Sequence, residues 1–94
     1  MQTYSMIFYE NTVKKSVAKG LIPENIFKRI NNAFIAIDTT NDLGLFDIKK
    51  LKSSGQRTYY RLRKGKYRAV FFIEDGNYFV ISIAKREEIY HKWE

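Results

Sequence analysis

Two spacings of apolar residues divide the chain. Between Val13 and Ile37 they recur at helical intervals: Val13 and Val17, then Ile26, Phe27, Ile30, Phe34 and Ile37. From Thr58 onward apolar and aromatic residues alternate with cations at strand spacing. The alternation predicts strands over Thr58–Arg63, Tyr67–Ile73 and Tyr78–Ala84. Lys64-Gly65 and Asp75-Gly76 read as the tight turns between them. Tyr4–Tyr9 is a short apolar run that predicts one more strand. Asn11 or Thr12 offers an N-cap oxygen, Gly20 suits a left-handed helix end, and Pro23 suits a first helical turn. Thr39–Gly44 is turn-rich, Leu45–Leu51 reads equally as loop, strand or turn, and Ser53-Ser54-Gly55 is a flexible break. Lys85–Glu94 is a polar tail, helical or extended. The expected fold is α+β: an N-terminal strand and a helical hairpin packed on one face of an antiparallel meander, as a single domain over residues 1–94.

Pairing across Lys64-Gly65 would set Arg63 opposite Lys66, Arg61 opposite Arg68 and Tyr59 opposite Val70, with Tyr60 and Leu62 facing the helices. Like charges directly opposite one another destabilise a sheet, so such a face makes sense when an anion neutralises it. Splayed side chains and solvent screening are the competing account. The second hairpin predicts Ile73 opposite Tyr78, Arg68 opposite Ile83 and Lys85 opposite Lys66, on the basic face. Arg86 would then point the other way, unless a bulge or strand end near Ala84 reverses it.

Composition sharpens this picture. The net charge is +7, and residues 1–48 are balanced, with five cations and five acids. The excess therefore lies after Ile48. From Lys49 to Ile73 there are nine cations and no acid. Clustering of this kind points to nucleic acid, an anionic membrane or an acidic protein. The chain has no cysteine and its one histidine is His91, which excludes a disulfide scaffold, a thiolate metal site and a multi-histidine metal site. No apolar run spans a bilayer and no signal-peptide pattern opens the chain, so a soluble, cytoplasmic protein is expected. Phe27 and Phe34 sit at core spacing, which outweighs a base-stacking role.

The run from Tyr59 to Ile73 (Tyr-Tyr-Arg-Leu-Arg-Lys-Gly-Lys-Tyr-Arg-Ala-Val-Phe-Phe-Ile), followed by Asp75-Gly76 and by Ile81 to Tyr90 with its Lys85-Arg86, resembles the RelE/ParE toxin superfamily. Members share a "YYRLRxGxYRxxxxI" hairpin and a terminal "xxKRxxxY" or "xHRxxxY" segment. Asp47 to Lys52 resembles the "KLKG" lead-in, most like archaeal RelE members. These motifs cover the C-terminal half; the first half matches in element order only.

The resemblance implies a type II toxin with a RelE-like fold. RelE-like members enter the ribosomal A site and cut mRNA by metal-independent transesterification, the 2′-OH attacking the adjacent phosphate. By position, Arg68 would contact the scissile phosphate and Arg86 would stabilise the phosphorane. Tyr90 would act as general base or stacking platform. Its phenol would need neighbouring cations such as Arg68, Lys85 and Arg86 to titrate near neutrality. Tyr90 follows Arg86 by fewer residues than in some bacterial relatives. Lys49, Lys50, Lys52, Arg61, Arg63, Lys66 and Lys85 would bind RNA. His91 has an ordinary pKa suited to acid–base work, against a solvated surface role; Trp93 reads as a tail anchor. No cofactor or metal is implied. Expected partners are an antitoxin with an acidic arm, mRNA and the ribosome. Two alternatives stay open: a ParE-like or inactive member that acts by binding, as gyrase poisons do, and a small basic RNA-binding module.

Overall fold

The computed structural model describes residues 6–51, 55 and 57–93, with the side chains of 90–93 excepted. The chain runs β1 (Ile7–Tyr9), α1 (Asn11–Ala18), α2 (Glu24–Thr40), a 3-10 turn (Leu43–Leu45), β2 (Ile48–Lys50), β3 (Tyr60–Lys64), β4 (Tyr67–Glu74), β5 (Asn77–Lys85) and α3 (Arg86–Trp93). The strands form one sheet in the order β1-β5-β4-β3-β2. Among the described residues no helix is long and apolar enough to cross a membrane.

The expected α+β class holds, but the sheet is mixed, not purely antiparallel. β1 lies parallel to β5, with Ile7 beside Tyr78 and Tyr9 beside Val80. The Glu10 N–H continues that ladder to the Val80 carbonyl at 3.0 Å, so α1 begins immediately afterwards. For this reason Glu10, not Asn11 or Thr12, is the N-cap, and it caps through its backbone without a side-chain bond. α1 ends as expected. Gly20 takes φ +78°, its N–H bonds to Val17 O, and the Leu21 N–H bonds to Ser16 O.

Both helices of the hairpin cover one face of the sheet. Ile30, Phe34 and Ile37 of α2 meet Leu62, Ala69, Phe71 and Val80 in the main core. Phe34 and Phe71 pack edge to face at 4.8 Å. A second, smaller core lies on the opposite face, where Ile89 of α3 packs with Leu51 and Val70. The polar tail is thus a helix that folds back over the sheet.

Two registers differ from expectation. The β3–β4 turn is Gly65-Lys66, so Arg63 faces Arg68, Arg61 faces Val70 and Lys64 faces Tyr67. Gly65 alone of the two turn residues has positive φ, +60°. A two-residue hairpin turn with a glycine first and an ordinary residue second fits this placement. The shift is by two residues, so the strand side chains keep their expected faces, while Lys66 leaves its expected place opposite Arg63 and enters the turn. The β4–β5 hairpin begins as expected, with Ile73 beside Tyr78, but a bulge follows. Val80 pairs with Phe71 and Ser82 with Val70, leaving Ile81 as the extra residue. Arg68 therefore faces Ala84, not Ile83, and Lys85 faces Tyr67, not Lys66.

Candidate functional site

The sheet face away from the α1–α2 hairpin carries the arginines. Alternation along β3 and β4 puts Arg61, Arg63, Arg68 and Val70 on that face, while Leu62, Ala69 and Phe71 enter the main core. Lys49 of β2 joins them, opposite Arg61. Asp47 stands just before β2; its carbonyl accepts from the Arg63 N–H at 2.9 Å. The face is thereby layered across the strands. One layer holds Asp47, Arg63, Arg68 and Ala84, and the next holds Lys49, Arg61, Val70 and Ser82.

Arg68 is the floor of the site, only 6% exposed. Its Nη1 donates to Gly65 O at 2.9 Å and to Tyr67 O at 3.0 Å, which ties the guanidinium to the hairpin turn. Its buried Nε has no hydrogen-bond partner among the described residues. Burial, then the charges of Arg61, Arg63 and Arg86, push Arg68 below the ordinary arginine range, and Asp47 opposes them. Asp47 is also an ion-pair partner of Arg63, at 3.5 Å. Both side chains are more than half exposed, so this pair orients Arg63 and offsets little of the cluster's charge.

Sequence-expected site residues fall into three groups. Lys49, Arg61, Arg63, Arg68 and Arg86 are brought together; Arg86, at the start of α3, is near enough for its charge to act on Arg68. Lys50 and Lys85 are not. Lys50 faces Tyr60 and Lys85 faces Tyr67, on the opposite side of the sheet. The bulge at Ile81 is the reason for Lys85, because one extra residue exchanges the faces of everything beyond it. Lys66 is exposed in the turn, where its carbonyl accepts from the Arg86 N–H at 3.1 Å. Lys52 and the side chains of Tyr90, His91 and Trp93 lie outside the described residues; the backbone of 90–93 is helical.

Asp47 and Ile89 were not expected at this site. Asp47 is legible as the acid two residues before Lys49, hence on its face of an extended segment. Ile89 carries no such signal, since a single apolar residue in a polar tail does not say which surface it meets. Among the described residues no group of acidic, histidine or cysteine side chains is placed to hold a metal ion. The arrangement offers a cationic, partly desolvated patch in which donors converge on one small area, the geometry that binds phosphate.

No family model and no curated protein matches the chain. Among the solved structures that are similar are two toxin–antitoxin complexes. One is the crystal structure of the RelB–RelE antitoxin–toxin complex from Methanococcus jannaschii, with 27% identity, 93% of this chain and 99% of that chain covered, and a TM-score of 0.66. The other is the crystal structure of the archaeal RelE–RelB complex from Pyrococcus horikoshii OT3, with 22% identity, 90% and 97% coverage, and a TM-score of 0.67. The likeness runs through the first half of the chain as well as the hairpins. The chain has the RelE-like toxin fold that its C-terminal motifs imply.

Proposed function

We propose that this chain is the toxin of a type II toxin–antitoxin system, a cytoplasmic, ribosome-dependent endoribonuclease that cuts mRNA in the A site. The observation that carries this reading is the gathering of Arg61, Arg63 and Arg68 on one face of a RelE-like fold, with the charge of Arg86 acting on Arg68. The reaction is a metal-independent transesterification. The 2′-oxygen of the RNA attacks the adjacent phosphorus, the bond from phosphorus to the 5′-oxygen breaks, and a cyclic phosphate and a 5′-hydroxyl end result. One proton leaves the 2′-OH and another reaches the departing 5′-oxygen. Arg68 and Arg86 offset the charge that gathers on the phosphorane. Tyr90 is the proposed general base, with His91 a candidate for the second proton transfer. Lys49, Arg61 and Arg63 hold the flanking phosphates. The partner that silences the toxin is an acidic antitoxin whose carboxylates cover the same arginines; the similar structures are RelE–RelB complexes.

Programmed ribosomes carrying a defined mRNA test the reading directly. The wild-type chain should cut in the A-site codon and leave ribosome-free mRNA intact. An uncut message on the ribosome would remove the enzyme and favour a member that acts by binding, for which gyrase inhibition is the next assay.

Face assignment gives an independent measurement. Binding of a single-stranded RNA should weaken with salt at a slope of roughly 0.7 per neutralised phosphate. Arg63→Gln should lower that slope by about 0.7. Lys50→Gln, one cation removed from the other face, should leave it unchanged. Equal effects of the two variants would mean that the whole molecule's charge, not this face, attracts RNA.

A further inference from the structure

We infer that the same sheet face carries a second subsite, an aromatic groove that takes a nucleobase of single-stranded RNA at a distance from the arginines. The inference rests on the RNA reading above. Beyond Arg61 and Val70 the next layer across the sheet is aromatic. Phe72 stacks on Phe79 at 4.9 Å and 10° between planes, and Phe79 stacks on Phe8 at 5.1 Å and 14°. Tyr59 meets Phe72 edge-on at 5.9 Å, and the Arg57 guanidinium lies 3.9 Å above the Phe72 ring. Three rings thus form one near-parallel series, Phe72, Phe79 and Phe8, with the Arg57 guanidinium over Phe72. It ends on the edge strand β1 at Phe8, which is 41% exposed. A groove of about 340 Å³ runs beside these rings.

A single exposed phenylalanine at a sheet edge is ordinary. Phe8 differs because it is the exposed end of a series of parallel rings that also carries a cation over Phe72. Parallel planes select a flat ligand, since each added ring makes full face contact only if it is planar. A branched aliphatic side chain from a protein partner would bury area there without making full face contact. Glu10, also on the groove, repels a phosphate there and accepts from the amino group of a base. Its carboxylate therefore favours the base, not the backbone, as the group that enters.

The two subsites lie within reach of one strand. Arg68 and Phe72 are four residues apart on β4, about 13 Å at ~3.3 Å per residue. That is roughly four nucleotide rises of a stacked strand at ~3.4 Å each. Ile89 of α3 packs over Val70 between them, so the RNA passes around the helix and needs a longer stretch than the direct line. The groove accordingly contributes to binding of longer RNAs and nothing to a dinucleotide.

The test is fluorescence anisotropy with the full chain and 2′-O-methyl RNAs, which bind but cannot be cut. Phe8→Ala should weaken a decanucleotide about five- to hundredfold, the range of one base–aromatic stack, and leave a dinucleotide unchanged. Phe8→Tyr, which keeps the ring, should restore tight binding, and unchanged thermal melting shows that both variants fold. Wild-type affinity for the decanucleotide in the Phe8→Ala chain overturns the inference, while loss of that affinity in Arg68→Ala alone leaves the proposed function standing. Failure of the wild type to bind either RNA overturns the inference alone, because the proposed cleavage takes place only on the ribosome. A Phe8→Ala chain that keeps RNA but loses an acidic protein partner overturns the inference in favour of a protein interface.

Discussion

Replacing Arg68 with methionine should stop RNA cleavage and make the fold more stable. Cleavage is expected to fall by about 10²–10³-fold, the usual cost of losing one group aimed at developing charge. Stability should rise because Arg68 is an expensive residue where it stands. It is 6% exposed and its Nε lacks a partner among the described residues. Three other arginines repel it, and among the described residues one exposed aspartate opposes them. Its bonds to Gly65 O and Tyr67 O reach carbonyls at the hairpin end that water can satisfy once the side chain is shortened. Methionine keeps the bulk and removes the buried charge, a change that is often stabilising by about 1 kcal/mol or more. For a domain of this size that is a rise of roughly 4–8 °C in Tm. Sulfate should stabilise the wild type, because an anion bound only by the folded state shifts the unfolding equilibrium. It should stabilise Arg68→Met much less. A variant that lost both activity and stability would make Arg68 a structural residue of the hairpin and move the phosphate contact to Arg61, Arg63 or Arg86.

The trade predicted for Arg68 also explains which parts of the structure could be read from the sequence. The alternation of Arg61, Leu62 and Arg63, and of Arg68, Ala69, Val70 and Phe71, separates core from cationic face without any knowledge of partners. That separation survived a misplaced turn, because moving from Lys64-Gly65 to Gly65-Lys66 shifts the pairing by two residues and two is the period of a strand. The bulge at Ile81 is different. It shifts one residue, which moves Lys85 to the other face, and nothing in Val80-Ile81-Ser82 marks it. The direction of β1 is equally hidden. Three residues have no periodicity to read, and parallel pairing with β5 joins segments some seventy residues apart. The aromatic layer was legible only in part. Phe72 shares the parity of Arg68 and Val70, but Phe8 reaches it through the parallel β1, so the stack follows from topology and not from local pattern.

Strand β4 serves both faces, and truncating Phe71 should damage the molecule in a different way from any change on the arginine side. Phe71 is fully buried in the main core, where it packs edge to face with Phe34 at 4.8 Å and stacks with Tyr60 at 5.5 Å. β4 sits in the middle of the sheet, and Phe71 lies beneath α2, so the neighbours have little freedom to close the gap. Phe71→Ala should therefore cost about 3–5 kcal/mol, transfer and cavity contributions together. Domains of this kind hold roughly 5–15 kcal/mol in all, so the variant should melt far lower or remain unfolded, and cleavage, RNA binding and sulfate stabilisation should vanish together. Phe79→Ala, on the far face, removes a half-buried ring beside an open groove and should cost about 1–3 kcal/mol. The measurement is urea unfolding of the two variants against wild type, read as midpoints at equal slope. If Phe71→Ala costs no more than Phe79→Ala, the helix-covered face is not the principal core. The stability of the arginine platform would then have to come from α3 and Ile89 on the other side.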